Sequence, residues 1–224
     1  MSRILIPANE PEDWRHLLAD PQKHWRRGYS ARALAHCWQE ADGIPAGCLA
    51  VLARCVALQD LETLIAIPEH RVPLPGGKRP SQNDVWVLAR TPTELVSIAV
   101  EGKVSEPFGP TLDEWFEPNS LGQEVRLRYL CRKLELTYPP PADARYQLFH
   151  RAASAVIEAE WYHASHAVLL IHSFSPTNSW FDDYVRFLEL FGVSATVNAV
   201  ASRSLRSLRM HFAWVQGEAA YLEA

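Results

Sequence analysis

Asp84-Val-Trp-Val-Leu-Ala89, followed by Arg-Thr-Pro-Thr-Glu-Leu and then Val96-Ser-Ile-Ala-Val-Glu-Gly-Lys-Val104, is the stretch on which the reading of this chain turns. Both outer segments are rich in β-branched and apolar residues, which fit a pleated, half-buried surface. Thr91-Pro-Thr93 separates them closely enough for an antiparallel hairpin. Residues two apart on a strand share a face, so Glu101 and Lys103 project together. In a hairpin Asp84 then lies beside Glu101, a separation of 17 positions that two strands and a short turn accommodate.

Upstream, Leu61–Ile67 reads as a first strand, joined to the hairpin by the loop Pro73-Leu-Pro-Gly-Gly-Lys-Arg-Pro80. Gly76-Gly77-Lys78 lacks P-loop spacing and reads as a mobile loop facing substrate. Ser30 is placed to cap a helix running to Ala41, with apolar positions 34, 37, 38 and 41 at helical spacing; Gly43 and Pro45 end it. A second helical stretch covers Cys48–Ala57, and residues 1–29 form an arm with a short helix near Glu12–Ala19. Downstream, Thr111-Leu-Asp-Glu114 is a capping box. Helices follow over Gly122–Leu134 and, after the triple proline at 139–141, over Asp143–His163. His163 and His166 sit at that helix end, where imidazoles meet the dipole. Ala167–Phe174 is a nearly continuous apolar run and reads as a buried strand. Ser179-Trp-Phe-Asp182 is a second capping box, Gly192 sits at a helix C-cap, and Arg209–Val215 forms a last strand. Arg203, Arg206 and Arg209 recur every third residue, as on a helix edge that is solvated or contacts phosphates. The expected fold is α/β: a mixed sheet with flanking helices, in the order helix, three-strand meander, helix, strand. One domain is expected, with an arm at 1–29, a core at 30–175 and a C-terminal elaboration at 176–224.

The 224 residues are 48% hydrophobic and 21% charged, the profile of a packed globular chain. A net charge of −4 excludes a generally basic nucleic-acid binder but not a local basic patch. The four cysteines (37, 48, 55 and 131) form no C-x-x-C pair, which argues against a zinc ribbon and for a reducing compartment. The first seven residues hold too short an apolar run for a signal peptide, and no stretch approaches membrane-span length, so a cytoplasmic protein is expected.

The chemistry lies in the hairpin. Two adjacent carboxylates repel, and a hard cation such as Mg²⁺ or Mn²⁺, which prefers oxygen ligands, relieves that repulsion. A neighbouring ammonium positions water or stabilises charge on a phosphorane. Asp84, Glu101 and Lys103 are therefore the parts needed for metal-assisted phosphodiester hydrolysis, with Asp84 and Glu101 as ligands. Asn83-Asp84 and Glu101-Gly102-Lys103 resemble the two elements of the PD-(D/E)xK superfamily, which includes many restriction endonucleases, and the order of elements over residues 30–175 resembles its fold. Asn83 stands where that family commonly has proline. The resemblance implies nuclease activity on DNA or RNA. It also implies a supporting glutamate, Glu40 or alternatively Glu69, and a polar residue on the helix after the third strand: Gln147, Arg151 or, less fittingly, His150. Composition alone gives about 0.3 Glu-x-Lys triplets in a chain with 4 lysines and 17 glutamates, so its weight comes from its strand setting. The plainer readings are a turn-capping Asp84 and a solvent-facing Glu101–Lys103 ion pair. A binding or regulatory protein without turnover on the same scaffold is the rival function.

Overall fold

The computed structural model describes residues 8–224, and the first seven residues of the arm lie outside it. A 3₁₀ turn at Pro11–Leu17 is followed by helices α1 (Pro21–His24), α2 (Ser30–Ala41) and α3 (Ala46–Leu52). Strands β1 (Glu62–Val72), β2 (Ser81–Arg90) and β3 (Leu95–Lys103) form an antiparallel meander. Helices α4 (Leu112–Trp115), α5 (Leu121–Lys133) and α6 (Tyr146–Trp161) cross to β4 (His166–Ser173), which runs parallel to β3. Helix α7 (Phe181–Glu189) leads to β5 (Val200–Ser204) and β6 (Arg209–Gln216). The six strands lie in the order β1-β2-β3-β4-β6-β5, with β6 parallel to β4 and antiparallel to β5.

The architecture is mixed α/β, with helices on both faces of the sheet. Every residue of β4 is buried, as a strand paired in parallel on both sides and covered on both faces requires. Val85, Val87 and Ala89 of β2 and Val96, Ile98 and Val100 of β3 pack with Leu34, Trp38, Cys48 and Leu52 of α2 and α3. On the other face, Ala99 of β3 joins Leu148, Phe149 and Ala152 of α6 and Phe187 of α7. The same period of two that buries valines toward α2 turns Glu101 and Lys103 toward α6.

Several expectations are corrected. The segment after residue 175 is no peripheral elaboration: β6 is a central strand, and its Met210, Phe212 and Trp214 are fully buried. Arg203 and Arg209 lie on strands of the β5–β6 hairpin, not on a helix edge. Thr111 and Glu114 do form a capping box, but Ser179 caps nothing. Its Oγ is spent on Ser175, and Trp180 precedes α7 with φ of 69°. The Pro73–Pro80 loop is pinned rather than loose. Arg126 Nε donates to Pro75 O at 2.9 Å, and a Cβ on Gly76 would lie 2.0 Å from Gly122 O, so only glycine permits this approach. His166 starts a strand instead of ending a helix; its ring contacts His211 and Glu94, each at 3.0 Å. No helix among the described residues is long and apolar enough to cross a membrane.

Candidate functional site

Pairing of β2 with β3 runs from Arg90↔Leu95 to Val85↔Val100. One step further, Asp84 stands across from Glu101, where paired side chains share a face. The ladder opens there, and Asp84 Oδ2 accepts the backbone N–H of Gly102 at 2.7 Å. Glu101 and Lys103 are 3% and 4% exposed, which excludes the solvent-facing ion pair. From the next layer, Gln147 and Arg151 reach down together, four apart on α6 and hence on one helix face.

These side chains form a closed polar network. Lys103 Nζ donates to Glu101 Oε1 at 2.7 Å and to Gln147 Oε1 at 3.2 Å. Gln147 Nε2 donates to the same Glu101 oxygen at 2.8 Å. Arg151 Nε donates to Glu101 Oε2 at 2.5 Å, and another guanidinium nitrogen lies 3.6 Å from Asp84 Oδ1. Ser81 Oγ links Arg151 to His150, whose ring nitrogen lies 2.8 Å from that hydroxyl. Lys103 Nζ also sits 4.7 Å from the centre of the Phe108 ring, which shields it from one side.

Glu69 completes the set. It lies between the pairs Pro68↔Val85 and His70↔Asn83, facing Asp84, and has φ of 52° in the middle of a strand. A glutamate there is strained by about 1–3 kcal/mol, a feature that gathers at functional sites. Gln82 Nε2 holds its Oε2 at 2.6 Å. Glu69, Asp84, Glu101, Lys103, Gln147 and Arg151 line one cleft of about 550 Å³. Glu40 is not among them. The cleft opens at the first turn of α2, where Ser30 and Ala31 line it. Ten residues on, Glu40 is about 15 Å further along the axis. There it is exposed and accepts the Tyr221 hydroxyl at 2.9 Å.

Charge explains the behaviour of the acids. Three carboxylates face two cations, Lys103 and Arg151. Burial would raise Glu101, but the Arg151 and Lys103 charges and their hydrogen bonds hold it at about 2. Asp84 is pushed up to about 7 by burial and by repulsion from Glu101, against the pull of Arg151 and Lys103. Glu69 is pushed up to about 8 by burial and by repulsion from Asp84. Burial and the Arg151 charge keep the His150 imidazole neutral, well below its ordinary range.

With all three acids ionised the site is one positive charge short, a deficit that a divalent cation would offset. Among the described residues no three His, Cys, Asp or Glu side chains form a ready cage. Mg²⁺, however, is commonly held by one or two carboxylates while keeping several waters. Asp84 retains a free lone pair, and Glu101 has three of its roughly four acceptor positions filled.

In the sequence Glu69 and Arg151 are only alternatives that the family resemblance implies; the local signals for them are a glutamate just past an apolar strand segment and a position four beyond Gln147. Among curated proteins and among solved structures no match to the chain is found. A match over residues 7–219, nearly the whole chain, places this protein in the family described as Domain of unknown function (DUF6946).

Proposed function

We propose that this protein is a metal-dependent nuclease of the PD-(D/E)xK type, hydrolysing phosphodiester bonds in DNA or RNA. The observation that carries the reading is the meeting of Asp84, Glu101 and Lys103 from adjacent strands in one cleft, with Gln147 above them and Glu69 beside them. Helix α2, the β1–β2–β3 meander, α6 and β4 parallel to β3 supply the restriction-endonuclease-like core of the proposal.

Asp84 and Glu101 would hold Mg²⁺ or Mn²⁺, with Glu69 facing Asp84 from the neighbouring strand. The cation, when bound, supplies Lewis-acid activation of water and clamps the phosphate. Lys103 orients the attacking water and offsets the negative charge that grows on the phosphorus oxygens. Gln147 fixes the Lys103 ammonium and the Glu101 carboxylate through its two amide atoms. Glu69, with its raised proton affinity, suits a proton acceptor near neutral pH.

Incubation of plasmid DNA and RNA with Mn²⁺ tests this. Cleavage is expected, and it is lost in EDTA and in Lys103→Ala. A folded wild-type protein that cleaves neither polymer under these conditions refutes the reading.

One observation favours a second reading, a binding or regulatory protein without turnover. Arg151 already bridges Glu101 and Asp84, the place a metal would take. Binding without cleavage in Mn²⁺ separates the two.

A further inference from the structure

The segment Pro21-Gln-Lys-His-Trp-Arg-Arg-Gly-Tyr-Ser-Ala-Arg32 carries four Lys/Arg residues and no Asp or Glu, in a chain of net charge −4. Its Lys23, His24, Tyr29, Ser30 and Ala31 wall the same cleft as Asp84 and Glu101. The side chains of Lys23 and His24 are exposed and meet no partner among the described residues. The Arg26 guanidinium lies 6.0 Å from the centre of the Tyr29 ring, which is 37% exposed. Arg32 similarly covers Trp25 at 6.0 Å, with Glu12 at 3.8 Å, and Arg27 meets Glu223 at the surface.

A second aromatic–arginine pair is fastened to the segment whose Glu106, Pro107 and Gly109 line the cleft. Trp180, also 37% exposed, donates its indole N–H to Ser105 O at 2.8 Å, and Arg145 lies 5.4 Å from its ring centre. Arg145 in turn holds Gly109 O at 2.9 Å and pairs with Asp183 at 2.7 Å, so it is a fixed backing for the ring and not a free charge. The N–H and hydroxyl of Ser30 bind Glu106 at 2.9 Å each, which anchors the Tyr29 turn to that same segment. Trp180 is held with φ of 69°, a conformation unfavourable for a bulky residue, although its ring stays at the surface. Burial therefore does not account for its placement.

We propose that residues 21–32, together with Trp180 and Arg145, bind single-stranded nucleic acid and lead it into the cleft. The exposed Lys23 ammonium and the outer guanidinium nitrogens of Arg26, whose Nε donates to Gln22 O at 3.1 Å, meet the phosphates beside the His24 ring, while the arginine-backed rings of Tyr29 and Trp180 stack on bases. A duplex hides those base faces, so an unpaired strand is the preferred ligand. The inference deepens the nuclease reading by naming its substrate class, but binding is measurable without metal or turnover.

Fluorescence anisotropy in EDTA, with labelled oligothymidylate, oligouridylate and a duplex of mixed sequence, tests it. Single strands are expected to bind at least about tenfold tighter than the duplex, with affinity falling as salt rises. The Lys23→Glu/Arg26→Glu variant should lose at least about tenfold and show a shallower salt dependence. Tyr29→Ala and Trp180→Ala should weaken binding while keeping the salt slope, and Tyr29→Phe should restore it. Arg206→Glu, at the opposite end of the strands, should bind as wild type; circular dichroism melts verify that each variant is folded. The DNA and RNA arms decide which polymer is preferred. Equal affinity for duplex, equal competition by polyglutamate, or indifference to the charge-reversal variant overturns the proposal. Binding without cleavage leaves it standing and refutes the nuclease reading; cleavage unaffected by these variants does the reverse.

Discussion

Arg151→Gln tests the charge arrangement most directly. Arg151 is 6% exposed, donates to Glu101 at 2.5 Å, and lies 3.6 Å from Asp84. Its removal strands buried carboxylates, and breaking a buried pair from one side costs about 3–5 kcal/mol. Glutamine keeps some packing and one donor, which places the loss at the lower end of that range. Asp84 and Glu69 are both held down by Arg151, so in the variant they rise further above about 7 and about 8. The penalty is therefore largest where wild-type Asp84 is ionised, near about pH 8, and smaller near about pH 5.5, where protons neutralise both acids. Urea unfolding of wild type and variant at both pH values measures the difference, in which the titration of remote histidines cancels. Millimolar Mn²⁺ should return more stability to the variant than it adds to wild type, because a ligand stabilises by its preferential binding to the native state. A loss under about 1 kcal/mol, or an equal loss at both pH values, would refute the assignment of Arg151 as the internal counter-ion.

Further expectations follow from the same geometry. Asp84→Asn/Glu69→Gln removes two acids whose folded values exceed their unfolded ones. The wild type binds excess protons between about pH 4 and 8 and loses stability relative to the variant as pH rises through that window. Thermal melts of the pair across that range should diverge with the variant higher at alkaline pH, and parallel curves would contradict the raised values. Glu101 has the opposite sign, so Glu101→Gln should show its stability deficit above about pH 4.5, shrinking as pH falls toward 2. Glu40→Ala, which loses only an exposed hydrogen bond from Tyr221, should change stability by less than about 1 kcal/mol and leave Mn²⁺ binding by calorimetry unaltered. Trp38→Phe removes the buried indole donor to His172 Nδ1 at 3.1 Å, and urea unfolding should register a loss of about 1–3 kcal/mol.

The sequence by itself determined whatever depends on near neighbours along the chain. The β2–β3 hairpin, the common face of Glu101 and Lys103, the Thr111–Glu114 capping box and the buried β4 all follow from strand period, helix period or a side chain reaching three residues along. Only the tertiary structure decided what depends on how elements are aimed. Glu40 and Glu69 are equally acidic in the sequence, but α2 presents its first turn to the cleft and carries Glu40 away, while β1 brings Glu69 opposite Asp84. Arg151 becomes a counter-ion because α6 lies over β3, and Ser179 loses its cap to a competing Ser175 contact. The short β5, with alanine, serines and an arginine among its five residues, has no apolar alternation to announce it and is a strand because the edge of β6 supplies its hydrogen bonds. In each case the deciding energy comes from a partner distant in sequence, and local pattern carries no record of where that partner will stand.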